Sequence, residues 1–139
     1  MHSIKAARRI CIFEVNSQLL MNIKSYLDST YLPLPEQVQL SEAEYLQVVK
    51  THIQEAIDES FKLIMIRPNR VKIARNMIDT ARSKVTIGTV IGFPEGTASL
   101  QEKLEEATQA IHDGADDLDF VCNYQAFKAG NTELVKQEI

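Results

Sequence analysis

The chain has 139 residues, 45% of them hydrophobic and 24% charged, the make-up of one ordinary soluble domain with a single core and too small for two. Its formal net charge of -4, with 15 Lys and Arg spread along the chain against 19 Asp and Glu, excludes a nucleic-acid footprint, and no apolar run approaches the roughly 20 residues a membrane span requires. Cys11 and Cys122 form no C-x-x-C pair and have no His at ligand spacing, so neither a disulfide framework nor a zinc site is expected, and a reducing, cytoplasmic compartment fits.

Residues 1–20 stand apart. They carry Lys5, Arg8 and Arg9 against Glu14 alone, a net +2 that leaves -6 for the remainder. A basic, acid-poor leader is one signature of organelle targeting, but Glu14 and a weak helical pattern favour an upstream extension. The domain is expected over 21–139.

From Met21 onward a strand–helix unit repeats. IKSYLDSTYL (23–32) reads as a strand, stopped by Pro33 and Pro35. Ser41 with Glu44 makes a capping box, and Leu46, Val49, Ile53 and Ile57 follow at helical spacing. FKLIMIRP (61–68) is a nearly continuous apolar run, as in a strand covered on both faces. Asn69 is the expected cap of a second helix with Val71, Ala74, Met77 or Ile78, and Ala81 as its apolar stripe. KVTIGTVIGFP (84–94) is rich in β-branched residues and reads as the third strand. Ser99 and Glu102 repeat the capping box, Leu100, Leu104, Ala107 and Ile111 are expected to face inward, and Gly114 suits a helix end. Residues 115–123 read as a fourth strand, and Asn131 as the cap of a last helix.

Strand alternating with helix four times implies a parallel α/β fold: a doubly wound sheet, or part of a (β/α)8 TIM barrel. The first strand-to-helix turn, STYLPLPEQ, has no glycine-rich phosphate turn and G-x-G-x-x-G is absent, which decides against a nucleotide-binding sheet and leaves about four units of a partial barrel beside a weaker flavodoxin-like alternative.

One residue is out of character with a buried strand. Asp119 lies inside ADDLDFVCN, where an unpaired charge would be costly. Side-chain alternation puts Leu118, Phe120 and Cys122 on one face and Asp117, Asp119, Val121 and Asn123 on the other. With the apolar face on the helices, Asp119 and Asn123 point inward near the carboxyl end, where barrel enzymes carry catalytic groups. The same arithmetic groups Tyr26, Asp28 and Thr30 on the first strand. Plainer readings exist for each feature. An Asp near a strand end often accepts turn hydrogen bonds. The cluster Asp113, Asp116, Asp117 and Asp119 fails as a calcium loop, because Leu118 and Tyr124 stand where Gly and Glu are needed. No metal site is expected. His2, His52 and His112 read as solvated, Cys122 as a small core residue, and GFPEG (92–96) as a tight turn.

Taken together, TIGTVIGFPEG, then AIHDGADDLDFVCNY and AFKAGN one helix later, resemble deoxyribose-phosphate aldolase, and YLDST is similar to that family's first-strand D-x-T pattern. The resemblance runs from about Met21 to Ile139. It implies reversible retro-aldol cleavage of 2-deoxy-D-ribose 5-phosphate to acetaldehyde and glyceraldehyde 3-phosphate. A sixth-strand lysine forms a Schiff base with the sugar, so no cofactor is implied. By the motif match Asp119 is the aspartate that moves protons with a second lysine and a water, the lysine charges stabilising a buried carboxylate. Asp28, Thr30, Met65 and Asn123 are the expected substrate-binding residues. Met65 stands where the family often has Cys, and Ser29 is the middle of the D-x-T pattern; both suggest altered lining.

A whole barrel of this type needs about 250 residues and eight strands. The sixth-strand lysine, its partner and the late phosphate loops have no counterpart here, and Lys62, Lys72, Lys84 and Lys103 are misplaced by motif. The expectation is therefore an amino-terminal half-barrel, inactive alone, or else a silent interaction module or truncated product. Open strand edges and an apolar inner face predict a homo-oligomer or a complementary half-barrel as partner, with a sugar phosphate as the small molecule and neither nucleic acid nor membrane.

Overall fold

The structure is a computed structural model and describes residues 22–139. The leader assigned to residues 1–20 lies outside it. Within the described residues the apolar runs become β1 (Asp28–Tyr31), β2 (Leu63–Ile66), β3 (Thr86–Ile91) and β4 (Asp117–Phe120), joined by α1 (Glu42–Glu59), α2 (Val71–Ala81) and α3 (Leu100–His112). Two short helices, α4 (Tyr124–Lys128) and α5 (Thr132–Glu138), follow β4. All pairings are parallel and the strand order is β1-β2-β3-β4. Spatial order equal to chain order is the winding of a barrel segment; a doubly wound sheet reverses at a switch point.

Both capping boxes form. Ser41 and Ser99 each receive the backbone N–H three residues on, and Glu44 and Glu102 return the bond to the cap N–H at 2.9 and 2.7 Å. The serine hydrogen bonds hold both carboxyls below the usual glutamate range. The main core lies between sheet and helices: Ile64, Ile66 and Ile87 meet Tyr45, Val49, Ile53 and Ala56 of α1 and Val71, Ala74 and Ile78 of α2. Thr89 is fully buried there, its hydroxyl donating to the Ile66 carbonyl at 2.8 Å.

Five local expectations need correcting. Residues Ile23–Tyr26 form a 3-10 turn instead of strand, because β2 begins only at Leu63, the register partner of Asp28, and earlier residues have no ladder to join. Asn69 is not a cap: Pro68–Arg70 form a 3-10 turn that runs into α2, its start favoured by the fixed proline φ. The α2 stripe stops at Ile78, and Ala81, the last helical residue, is exposed. On α3 the buried residues are Lys103 and Ala110, while Leu104 and Ile111 are 53% and 60% exposed. The helix is turned by about one residue, roughly 100°, because Lys103 is drawn inward by a partner described below. β4 is also shorter than expected, since Asn123 leaves the strand to cap α4.

Ile64→Ala should cost about 2–5 kcal/mol in urea unfolding, the penalty of a cavity in a closed core. Leu104→Ala should stay within about 0.5 kcal/mol. Equal losses would contradict the orientation of α3.

Candidate functional site

Partners in a parallel ladder present their side chains on the same face, so the register sorts the sheet. Ser29, Ile64 and Ile87, then Tyr31, Ile66, Thr89 and Leu118, face the helices. Asp28, Leu63 and Thr86, then Thr30, Met65, Gly88 and Asp117, then Val90 and Asp119, face away, onto the surface that becomes the hollow of a barrel. Four of the five expected site residues, Asp28, Thr30, Met65 and Asp119, are thus brought onto one face. Asn123 is not. Its side chain accepts from the Ala126 N–H at 2.9 Å to cap α4, and its own N–H donates to Glu138 at 2.7 Å.

The middle of this face is an apolar floor. Leu63, Met65 and Val90 are buried, with Leu32 packed beside them. Met65 and Leu63 fold over Gly88, where an added Cβ would lie 2.6 Å from Met65 Cε and 2.9 Å from Leu63 Cδ2. Carboxylates flank the floor, Asp28 on β1 and Asp117 and Asp119 on β4, all exposed. The expected burial of Asp119 is therefore corrected. β4 is an edge strand, no second layer covers it among the described residues, and its carboxylate meets solvent. Asp116, by contrast, is structural: it accepts the Ile87 N–H at 2.8 Å and pairs with Arg75 at 3.3 Å.

The carboxyl ends of β3 and β4 are held by a buried ion pair that sequence reasoning missed. The Lys103 and Glu138 side chains are 2% and 3% exposed. Lys103 Nζ donates to Glu138 Oε1 and to the Gly96 carbonyl, both at 2.7 Å, and lies 4.9 Å from the Phe120 ring centroid. Glu138 Oε2 takes the Asn123 N–H just after β4. Gly96 has φ +67° and sits so close to the Cys122 carbonyl that a Cβ would lie 2.1 Å from it, and Gly92 donates its N–H to Glu106 at 2.8 Å. One ammonium thus ties the GFPEG turn, α3, α5 and the end of β4 together. Its signal in the sequence was slight: a lysine one position from an apolar stripe. Burial pushes the Glu138 carboxyl up, but the hydrogen bonds from Lys103 and Asn123 and the lysine charge outweigh it and hold the group below the usual glutamate range.

Chemically, the inward-facing residues of the described strands offer carboxylates without an amine. Lys62 and Lys84 precede β2 and β3, Lys72 lies on α2, and Lys103 is consumed by its ion pair on the helix side. Among the described residues no three His, Cys, Asp or Glu side chains converge as a metal site requires. Two grooves lie away from this face. One of about 540 Å³ runs along α1, and one of about 580 Å³ sits at the amino ends of β2 and β3, beside Lys62 and Lys84.

No protein-family model matches the chain. Individual proteins do. A deoxyribose-phosphate aldolase of Thermococcus gammatolerans is 35% identical over 119 residues, covering 86% of this chain and 49% of the relative. That of Clostridium botulinum strain Loch Maree is 38% identical over 120 residues, covering 86% and 51%. Among solved structures, the tetrameric deoxyribose phosphate aldolase from Aeropyrum pernix superposes with a TM-score of 0.61 at 26% identity, over 84% of this chain and 48% of that one. The chain spans about half the length of the relatives it matches.

Lys103→Met leaves a buried carboxylate without its cation and should cost about 3–5 kcal/mol in urea unfolding; a loss under about 1 kcal/mol would contradict the brace. A depressed folded pKa contributes stability that is present above the unfolded value, ordinarily 4.5, and is lost as pH falls through the folded one. Stability should therefore fall below about pH 4.5 more steeply in the wild type than in Glu138→Gln. Parallel pH profiles would contradict the assignment.

Proposed function

Because the chain is homologous to the deoxyribose-phosphate aldolases over about half of their length, we propose that it is the amino-terminal half of a Schiff-base aldolase barrel. The reaction is reversible cleavage of 2-deoxy-D-ribose 5-phosphate to acetaldehyde and glyceraldehyde 3-phosphate, a catabolic lyase step in the cytoplasm. The observation that carries this reading is the position of Asp119, on the concave face at the carboxyl end of β4, opposite Asp28 and Thr30 across the Met65 floor. Asp119 is the proton-transfer group during carbinolamine formation and dehydration, and Asp28, Thr30 and Met65 line the sugar side.

On this reading the amine comes from residues other than the described strands, since no lysine lies on their inward face. The chain alone is then inactive. Its β1 and β4 edges, open among the described residues, with exposed Leu104 and Ile111 on α3, favour association with a second copy or a complementary half. Cys122 is a free, half-buried thiol, which suits a reducing compartment, and no helix among the described residues is long and apolar enough to cross a membrane.

A second reading, a catalytically silent half-barrel that only binds a partner, is favoured by the lack of a lysine on the described inward face. Borohydride trapping with the sugar phosphate separates the two. The chain alone should take no irreversible label. Mixed with the unmatched half of the Thermococcus relative as a separate polypeptide, it should form a complex whose added half becomes labelled, and Asp119→Asn should then lower turnover by about 10²–10⁴. A complex that forms but is never labelled supports the silent module. Labelling of the chain alone, or full turnover in Asp119→Asn, would overturn the aldolase reading.

A further inference from the structure

We propose that Arg67 is an oxyanion-binding residue that stands in one row with Asp119 and sets which end of an anionic ligand lies over β2 in this half of the barrel. The proposal takes from the aldolase reading only the location of the site.

β2 ends at Ile66, but Arg67 keeps an extended backbone, φ -65° and ψ 147°, so side-chain alternation continues and Arg67 falls on the face of Leu63 and Met65. The register aligns Tyr31, Ile66, Thr89 and Leu118, and Val90 with Asp119. The next row toward the carboxyl ends is therefore Leu32, Arg67, Val90 and Asp119. Leu32 and Val90 do pack in the same inner cluster.

Two contacts fix the guanidinium. Its Nε donates to the Leu32 carbonyl at 2.7 Å, and its central carbon lies 4.8 Å from the centroid of the Phe93 ring in the turn after β3. These engage one N–H and one face of the plane. The two terminal nitrogens have no protein acceptor among the described residues, and neither is buried, since the buried unpartnered nitrogens are those of Arg70 and Arg75. Nor, among the described residues, does Arg67 have a carboxylate within ion-pair reach, whereas Arg70 has Glu42 and Arg75 has Asp79 and Asp116. A half-buried guanidinium with a fixed plane and an open fork is organised for bidentate contact with a phosphate or carboxylate, having little rotamer freedom left to lose.

The carboxylates give the row a direction. Asp28, Asp117 and Asp119 repel an anion from the rest of the described face, so among the described residues an oxyanion is accommodated at the Arg67 end. Asp119 lies two strand spacings away, roughly 10 Å. A ligand with an anionic group at one end and an uncharged carbonyl at the other would therefore place the carbonyl toward β4.

The test titrates inorganic phosphate into the ¹⁵N-labelled chain. Saturable shifts at the Arg67 Nε–H and at the Leu32 and Phe93 amides are expected, with millimolar affinity that weakens at least tenfold in Arg67→Met. If Arg67→Met loses its folded spectrum, Arg67→Lys, which keeps the charge and stem but not the fork, should weaken binding severalfold. Unchanged binding in the folded variant, or shifts spread over Lys50, Lys62 and Lys84 without saturation, would overturn the proposal, leaving Arg67 as a tie between β1, β2 and β3. Phosphate binding without turnover in the reconstituted barrel would sink the aldolase reading alone; turnover without an Arg67 dependence of phosphate binding would sink this one alone.

Discussion

The register of the parallel ladder is the constraint from which the rest follows. In each strand successive side chains alternate between the helices and the hollow, and a shift of one residue in any strand would exchange the two sets. With Thr30 beside Met65, Met65 beside Gly88 and Gly88 beside Asp117, the isoleucines of β2 and β3 enter the helix-side core and the carboxylates go the other way. Burial enforces this register strongly. Ile64, Ile66 and Ile87 are 0% exposed, and exchanging them for the inner-face residues would place three large aliphatic side chains outside that core. The candidate site is thus positioned by the hydrophobic effect acting on its neighbours, while Asp119 itself is exposed and lies outside both apolar clusters.

Side-chain alternation says where a residue points but not how firmly its strand end is held. That task falls to the Lys103–Glu138 pair and the two glycines of the GFPEG turn. A buried ion pair is seldom a net source of stability compared with an apolar packing of the same volume, but breaking it is costly. Such a pair favours one arrangement over near alternatives. Here the arrangement holds the end of β4 against the turn after β3, directly behind Asp119.

Much of this was legible in the residues. The strand–helix alternation, both capping boxes, the helix-side core and the inward face of Asp28, Thr30 and Asp119 all follow from period and cap chemistry, which are local. The misreadings have nonlocal causes. IKSY has strand composition but no neighbour to pair with; Asn123 has strand spacing but a better use as a cap; and Leu104 has the right period on a helix whose rotation is decided by a lysine meeting Glu138, 35 residues later. Arg67 was within reach of the same alternation that singled out Asp119, and was hidden because Pro68 reads as the end of the strand. The solvent exposure of Asp119 depends on what covers the face, which no local pattern encodes.

The central claim is that Asp119 faces a hollow that a second half-barrel closes. It is tested most directly by alkylation of an Asp119→Cys variant in a Cys11→Ser, Cys122→Ser background. The account predicts rapid modification at position 119 in the chain alone and strong protection once the unmatched half of the Thermococcus relative is bound. Modification at an unchanged rate in a demonstrated complex would mean that the side chain lies outside the closed barrel, and the account would fail.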